Sequence, residues 1–425
     1  MRIRDIHITP IAVADPPLLN AAGLHAPYAL RIVLELVSDD GASGWGEIPG
    51  GEAARAALDY AAERIIGVDP WQLNEIFAAL EALAGGDERG DSPWDQRTWV
   101  HVRSAIEVAC YDLMGKSCGR PVVDLLGGAA RDRVPFAAYL FYKREGAGGE
   151  FGFERDRGAA GWFAARQDAA LDANGIVSQA QAMVEHYGFG SIKLKGGVFE
   201  PGVEVDSILA LREAFGPDMP LRLDPNAIWR VDTAIAAGRQ LEGVLEYYED
   251  PARGQENMSA VAKALKIPLA TNMCTTSFAD LPGSVQHDSE AIILSDHHFW
   301  GGFRASLDLA RFCRVFGRGL SMHSNSHLGI SLAAMVHLAA ATPNLTYDCD
   351  THYPWQDGHD LLAEPLPFNE GAVAVPSSPG LGIDVDRDRL TALHQQYLEC
   401  GLGERDDEVE MQKIEPGWRF QATRW

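Results

Sequence analysis

The chain has 425 residues, of which 46% are hydrophobic and 23% charged. That is the composition of a soluble globular protein able to bury a core without disulfides or a structural metal, and it excludes disordered, fibrous and collagen-like classes. Sixty acidic residues against 36 basic ones leave a formal charge of −24, so nucleic acid and anionic membrane are poor partners, and an anionic substrate must be caught by local cations.

In chain order, IHITPIAV, ALRIVLELVS and GWGEIP within residues 1–48 alternate apolar and polar residues and read as strands. Residues 51–117 then turn helical, with EAARAALDYAAERIIG and VHVRSAIEVACYDLMGK carrying apolar residues at three- and four-residue spacing. Strands followed by segregated helices predict a small α+β domain. From about residue 134 short β-branched or aromatic runs recur: VPFAAYLF, SIKLK, PLRLD, VLEYYED, IPLATN, AIILSD, GLSMH and LTYDCD. Amphipathic segments separate most of them, so the expected architecture is a parallel (β/α) barrel. Residues 142–172, rich in Gly, Arg and aromatics, read as a long loop of the kind used as a lid or binding loop. Residues 366–425 lack the barrel pattern and are expected to return to the N-terminal domain. The domains are therefore placed at 1–125 (capping domain, first part), 126–365 (barrel) and 366–425 (return segment). The six cysteines show no CxxC pairing, no 18-residue apolar run occurs, and the first residues lack the apolar stretch of a signal peptide; a cytoplasmic protein with reduced thiols is expected.

Polar residues end the barrel runs. The second ends in Lys193 and Lys195, the third in Asp224, the fourth in Glu249, the fifth in Asn272, the sixth in Asp296 and the seventh in His323. From Asp224 onward the steps are 25, 23, 24 and 27 residues, one βα unit each. Groups at the C-terminal ends of barrel strands converge on one mouth. A single acid there is as readily a helix cap as a ligand, but recurrence in every unit is not. Oxygens of Asp224, Glu249 and Asn272 suit a hard divalent cation such as Mg²⁺. Lys193 and Lys195 point to the same side of a strand; each is expected to depress the other's proton affinity, leaving one neutral as a general base, with a Schiff-base lysine as rival. Asp296 and His323 on neighbouring strands form a candidate acid/base pair. Of His297 and His298, one reads as packing, and neither has zinc spacing.

The order Lys-x-Lys, Asp, Glu, Asn, Asp, His resembles the enolase superfamily, and within it the glucarate dehydratase group. NAAGLHAPY, GEIPGGE, SIKLKGG, LDPNAIW, EDP, ATNM, DHHFWGG, HSNSHLGIS, DTHYPWQDG, PGLG, GLGERDD and PGW carry the resemblance across nearly the whole chain. It implies an α+β capping domain over a modified (β/α)₇β barrel, a Mg²⁺-dependent dehydratase of aldaric acids, and a homo-oligomer. It implies Asp224, Glu249 and Asn272 as metal ligands, Lys195 as base on one face of the substrate, Lys193 beside it on the metal-bound carboxylate, and His323 with Asp296 on the opposite face. Asn20, His25, Tyr139, Phe141, Asn226, Ser324, Asn325, His352 and Arg405 would line the substrate pocket, Arg405 gripping the distal carboxylate two-toothed. The chain departs from the family at GGFRAS after DHHFW, in the shortened step from Glu249 to Asn272, and in 142–172, all three expected near the substrate. The competing readings are a racemase or epimerase on the same barrel, a metal-free aldolase-like lysine enzyme and a non-catalytic acid-binding relative; no HxH ends the first barrel run, which disfavours a metal hydrolase.

Overall fold

The computed structural model describes residues 1–85 and 88–425. Strand β1 (Ile3–Ala14) pairs antiparallel with β4 (Tyr28–Ser38), which pairs in turn with β5 (Ser43–Pro49); the connection between β1 and β4 carries the two-residue strands β2 (Leu19–Asn20) and β3 (Gly23–Leu24). The helix Glu52–Ile65 buries Ala57, Leu58, Ala61 and Ile65 at helical spacing, and the helix Thr98–Cys118 lies directly on β5. That approach requires glycine, since a Cβ on Gly46 would sit 2.4 Å from the Ala105 carbonyl oxygen. Ile32, Leu34, Leu36, Ile48, Val102 and Ile106 form the shared core.

The eight expected barrel strands follow as β6 (Arg133–Phe141), β7 (Ile192–Lys195), β8 (Leu221–Asp224), β9 (Leu245–Glu249), β10 (Leu269–Thr271), β11 (Ile292–Ser295), β12 (Gly319–Met322) and β13 (Cys349–Asp350). Strands β6 to β12 run in sequence order, all parallel, and β13 returns to pair with β6. Side-chain and backbone bonds from β12 to the segment before β13 (Ser321 Oγ to the Asp348 carbonyl, 2.8 Å; Thr346 N–H to the Leu320 carbonyl, 2.9 Å) complete the ring. A helix follows each of the first seven strands, beginning with Ala173–Tyr187 and ending with Gly329–Ala340. The fold is thus a (β/α)₇β barrel under an α+β cap. Strands β7, β8 and β11 are buried along their whole length because helices cover one face and side chains fill the other. Register sets the interior layers: Tyr139, Lys193, Arg222 and Tyr247 lie side by side, and Phe141, Lys195 and Asp224 form the next layer toward the mouth.

After the barrel, β14 (Phe368–Asn369) and β15 (Ala372–Ala374) make a hairpin on the start of β6. The helix Arg387–Cys400 packs on β1, where Gln396 Nε2 donates to the Ala12 carbonyl at 2.8 Å, and the helix Asp407–Gln412 sits on the β2–β3 hairpin. Residues 142–172 are not featureless. Lys143 and Ala170 bridge antiparallel, Leu18 joins them, and buried Trp162 heads a short helix (Trp162–Ala165) whose indole donates to the Pro354 carbonyl at 3.0 Å. Among the described residues no helix is long and apolar enough to cross a membrane, and all six cysteines are free.

Candidate active site

At the barrel mouth, Asp224 ends β8, Glu249 ends β9, and Asn272 follows β10. Asp224, Glu249 and the adjacent Asp250 bring carboxylate oxygens within 4.8 Å of one another, all buried. Asp250 was not singled out in the sequence, and its oxygens are taken: Oδ1 accepts the Thr271 hydroxyl at 2.5 Å and Oδ2 the Asn272 N–H at 2.8 Å. It is held with φ +37°, a left-handed backbone that non-glycine residues adopt only under constraint. By contrast the Asn272 amide and both Glu249 oxygens are buried without a hydrogen bond. Lys193 Nζ lies 2.6 Å from Glu249 Oε2, but off the hydrogen-bonding direction. Unspent oxygens therefore belong to Glu249 and Asn272; Asp224 completes the candidate donor set from within the carboxylate cluster, its Oδ2 shared with Lys195 and its Oδ1 with Asn226, and Asp250 holds the Asn272 backbone.

The electrostatics agree with a missing positive charge. Burial, and then Asp224, push the Glu249 carboxyl well above the usual carboxylate range, and the same two causes push Asp250 up to about 6. Asp224 is also pushed up by burial, but Lys195 and Lys193 outweigh that and hold it below its usual value. Two lysines do not neutralise this many buried acids. A divalent cation with hard oxygen ligands fits the set.

The lysines depart from the expectation that each lowers the other's proton affinity. Lys193 Nζ is enclosed by Asp350 Oδ2 at 2.6 Å, Glu249 Oε2 at 2.6 Å and Asp224 Oδ2 at 3.6 Å, above the Tyr139 ring. Burial lowers its proton affinity, yet Asp350 and Glu249 win and the net shift is well upward. Lys195, 2.7 Å from Asp224 Oδ2, is also raised: burial pulls it down and Asp224 more than restores it, while Lys193 contributes only a smaller opposing effect. Nearby carboxylates, not the paired ammonium, dominate. Asp350 was missed in the sequence although it ends LTYDCD, the eighth barrel run; the rule that picked out the other strand ends would have found it.

His323, after β12, faces Asp296, after β11. Asp296 Oδ2 and His323 Nδ1 are 3.6 Å apart, and both are buried without another partner. Burial pushes Asp296 up to about 8 and His323 well below its ordinary value, disfavouring charge on both. Phe299 stacks on the imidazole at 4.7 Å. His298 is the packing residue: its Nε2 contacts the Glu47 carbonyl at 2.9 Å and its own N–H donates to Asp296 Oδ1 at 2.7 Å. Burial lowers His297 to about 3.

Above these groups lies a chamber lined by Asn20, His25, Tyr139, Phe141, Lys195, His323, Ser324, Asn325, His352 and Arg405, joined by Pro93, Trp94, Phe299 and Ser326, which sequence reasoning did not single out. A larger outer chamber, bounded by β4 and residues 94–98, shares His25, Trp94, Asn325, Ser326 and Arg405 with it. Asn226 is absent from both linings. Its Nδ2 donates to Asp224 Oδ1 at 3.2 Å, which makes it a brace for that carboxylate. Ser324 is partly committed as well, accepting the His352 N–H at 2.9 Å, while His352 Nε2 and Asn325 Oδ1 are buried and unpartnered. Residues 142–172 line neither chamber. They brace the wall from behind, Arg166 Nη1 donating to the Asp357 carbonyl at 2.8 Å. Of GGFRAS, too, no residue lines either chamber; Gly302 and Arg304 pack on Glu107 of the cap.

Arg405 departs from its expected two-toothed grip on substrate. Its Nε donates to Asp407 Oδ1 at 2.9 Å and its Nη2 to Asp407 Oδ2 at 2.7 Å, so that edge is spent. Nη2 also reaches His25 Nε2 at 3.0 Å, and His25 Nδ1 lies 2.8 Å from Asp15 Oδ2. Arg405 can only donate, so His25 Nε2 accepts and the Nδ1–H donates to Asp15.

Residues 9–127 match the mandelate racemase / muconate lactonizing enzyme N-terminal domain, and residues 175–389 match the enolase C-terminal domain-like family. A protein from Streptomyces coelicolor named as a probable glucarate dehydratase is 44% identical over 100% of this chain and 99% of its own length. A crystal structure of an enolase from Thermobispora bispora, complexed with magnesium and formate, superposes with a TM-score of 0.92 at 49% identity, covering 99% of each chain. One from Mycobacterium smegmatis, complexed with tartrate, gives 0.91 at 51% identity, covering 100% of this chain and 98% of the other.

Proposed function

The chain belongs to the enolase superfamily, and from that premise we propose that it is a Mg²⁺-dependent hydro-lyase of an acid sugar, an aldarate such as D-glucarate or L-idarate. One observation carries the reading: Lys195 and His323, from the second and seventh barrel strands, line a single chamber, and Lys195 Nζ lies 2.7 Å from Asp224 Oδ2 in the buried carboxylate cluster that includes Glu249. The relative named as a probable glucarate dehydratase and the neighbours bound to magnesium and to tartrate, a diacid, support it.

A proton α to a carboxylate is barely acidic, because its loss gives a dianionic enediolate. Asp224, Glu249 and Asn272 would hold the Mg²⁺, which would supply Lewis-acid neutralisation of that carboxylate. Lys193, kept charged by Asp350, adds a fixed ammonium on the same side. Lys195 carries the proton at Nζ on one face of the α-carbon, and His323 on the other, with Asp296 stabilising the imidazolium. Where neutral His323 takes the α-proton, the β-hydroxyl leaves as water with that same proton, and the resulting enol becomes a keto-deoxy acid. Phe141, Phe299 and Trp94 keep the chamber poor in water.

Two proton carriers flanking one carbon also favour epimerisation as a second reading, and product analysis separates the two, because only dehydration yields a keto acid. Replacing His323 with Asn should abolish keto-acid formation from a diacid sugar while leaving Mg²⁺ binding intact. Undiminished activity in that variant would remove the histidine from the reaction.

A further inference from the structure

We propose that Asp407 is a positioning residue that makes the chamber wall selective for a second carboxylate at the substrate end remote from the metal cluster; the inference rests on the acid-sugar reading above. Asp407 is fully buried. Its Oδ2 is a shared pivot, accepting from Arg405 Nη2 at 2.7 Å and from Asn20 Nδ2 at 2.6 Å, while Oδ1 accepts Arg405 Nε at 2.9 Å. His25 takes the other Nη2 hydrogen, and Asp15 fixes His25.

Counting hydrogens shows what this leaves. Of the five guanidinium N–H groups, three are spent, and the two on Nη1 have no partner among the described residues. Asn20 keeps one amide hydrogen. Both sets of remaining donors belong to side chains that line the inner chamber, and one carboxylate orients them together. Donors on two side chains anchored to one carboxylate suit the two oxygens of a substrate carboxylate better than a hydroxymethyl group, which offers one oxygen and a proton of its own. The Arg405–Asp407 pair is already neutralised, so discrimination here comes from direction more than from charge.

The pivot is also built in firmly. Gly23, at φ +131°, lies against the Asp407 backbone, and a Cβ there would meet its carbonyl oxygen at 2.2 Å. Trp94 closes the other side, with the Arg405 guanidinium 4.5 Å from its ring centre. An asparagine at 407 keeps one acceptor oxygen and turns an NH₂ toward either Arg405 Nε or the Nη2 and Asn20 donors, so the two-oxygen clamp on the guanidinium is broken.

The test uses the full-length Mg²⁺-loaded protein carrying His323→Asn, titrated calorimetrically with D-glucarate and with D-gluconate, which differ in having carboxylate or hydroxymethyl at the far end. The parent should bind glucarate more tightly. Adding Asp407→Asn should cut the glucarate-to-gluconate affinity ratio about tenfold, the worth of one well-aligned charge-assisted contact, with Mg²⁺ affinity held within about twofold. Asp407→Glu, which keeps the charge but displaces it, should lower the ratio in the same direction if the Asn variant does not fold. An unchanged ratio, an equal loss for both ligands, or a parent that does not distinguish them would overturn the assignment. Keto-acid formation by the wild type is scored separately, so failure of the reaction reading and failure of this one give different results.

Discussion

Asp296 should make the protein less stable at neutral and alkaline pH than it would be without that carboxyl, and Asp296→Asn isolates the effect. The residue is buried at the barrel mouth, its Oδ1 accepting the His298 N–H and its Oδ2 facing His323 at 3.6 Å. Burial pushes its carboxyl from the ordinary 3.8 up to about 8. The folded state therefore binds this proton more tightly than the unfolded chain does. Stability from this group is complete below pH ~4 and is lost as pH rises toward ~8. At about 1.4 kcal/mol per pH unit, the window sets an upper bound of about 6 kcal/mol, and water penetration brings the expected difference to a few kcal/mol. Asparagine keeps the His298 contact and does not titrate. It also has only an N–H where an ionised carboxylate would accept from the imidazolium, and so leaves an imidazolium at His323 unsupported. Urea unfolding of both proteins from pH 5 to 8 in EDTA, with keto-acid formation measured in Mg²⁺, checks both halves. The variant should show the shallower fall of stability with pH, be the more stable at pH 8, and lose roughly two to four orders of magnitude in kcat. A variant with the wild-type pH slope, or one less stable at pH 8, would refute the reasoning.

Glu249→Gln removes a carboxylate that burial and Asp224 already drive toward its neutral form, so in EDTA its thermal midpoint should match or exceed wild type. In Mg²⁺ at 100 times its Kd the wild type should gain about 2.7 kcal/mol and the variant far less, giving a crossover that differential scanning fluorimetry detects. Asn272→Leu should weaken Mg²⁺ binding in calorimetry by at least about tenfold, because the amide freed by Asp250 would be lost. Trp162→Ala empties a buried site anchoring 142–172 and should cost about 3–5 kcal/mol in urea unfolding. Since that segment lines neither chamber, KM for the preferred acid should stay within about threefold in the same variant where it remains folded.

Much of the frame was legible because barrel geometry repeats. One polar residue per βα unit sufficed to bring Lys195, Asp224, Glu249 and His323 to one mouth, and alternation alone set Lys193 and Lys195 on the same side of β7. Asp350 was as legible as the rest, since it ends LTYDCD, the eighth barrel run, on the short strand β13 (Cys349–Asp350). Proton affinities were misjudged where two adjacent lysines were visible in the sequence but the three carboxylates around Lys193 come from β8, β9 and β13. The Asp15–His25–Arg405–Asp407–Asn20 network was hidden for the same reason: Asn20 and Asp407 are 387 positions apart yet 2.6 Å from contact atom to contact atom. Composition marked 142–172 as a lid, but Trp162 and Arg166 tie it to backbone carbonyls at 354–357 instead. A Gly- and Arg-rich stretch does not reveal which surface will accept its donors.

The most direct test of the central claim is a screen of the purified protein with Mg²⁺ against mono- and diacid sugars, detecting keto acid with semicarbazide. The account predicts that at least one aldarate is dehydrated and that EDTA abolishes the activity. Keto acid formed equally well in EDTA, or no product from any aldarate by a protein that binds Mg²⁺, would contradict it.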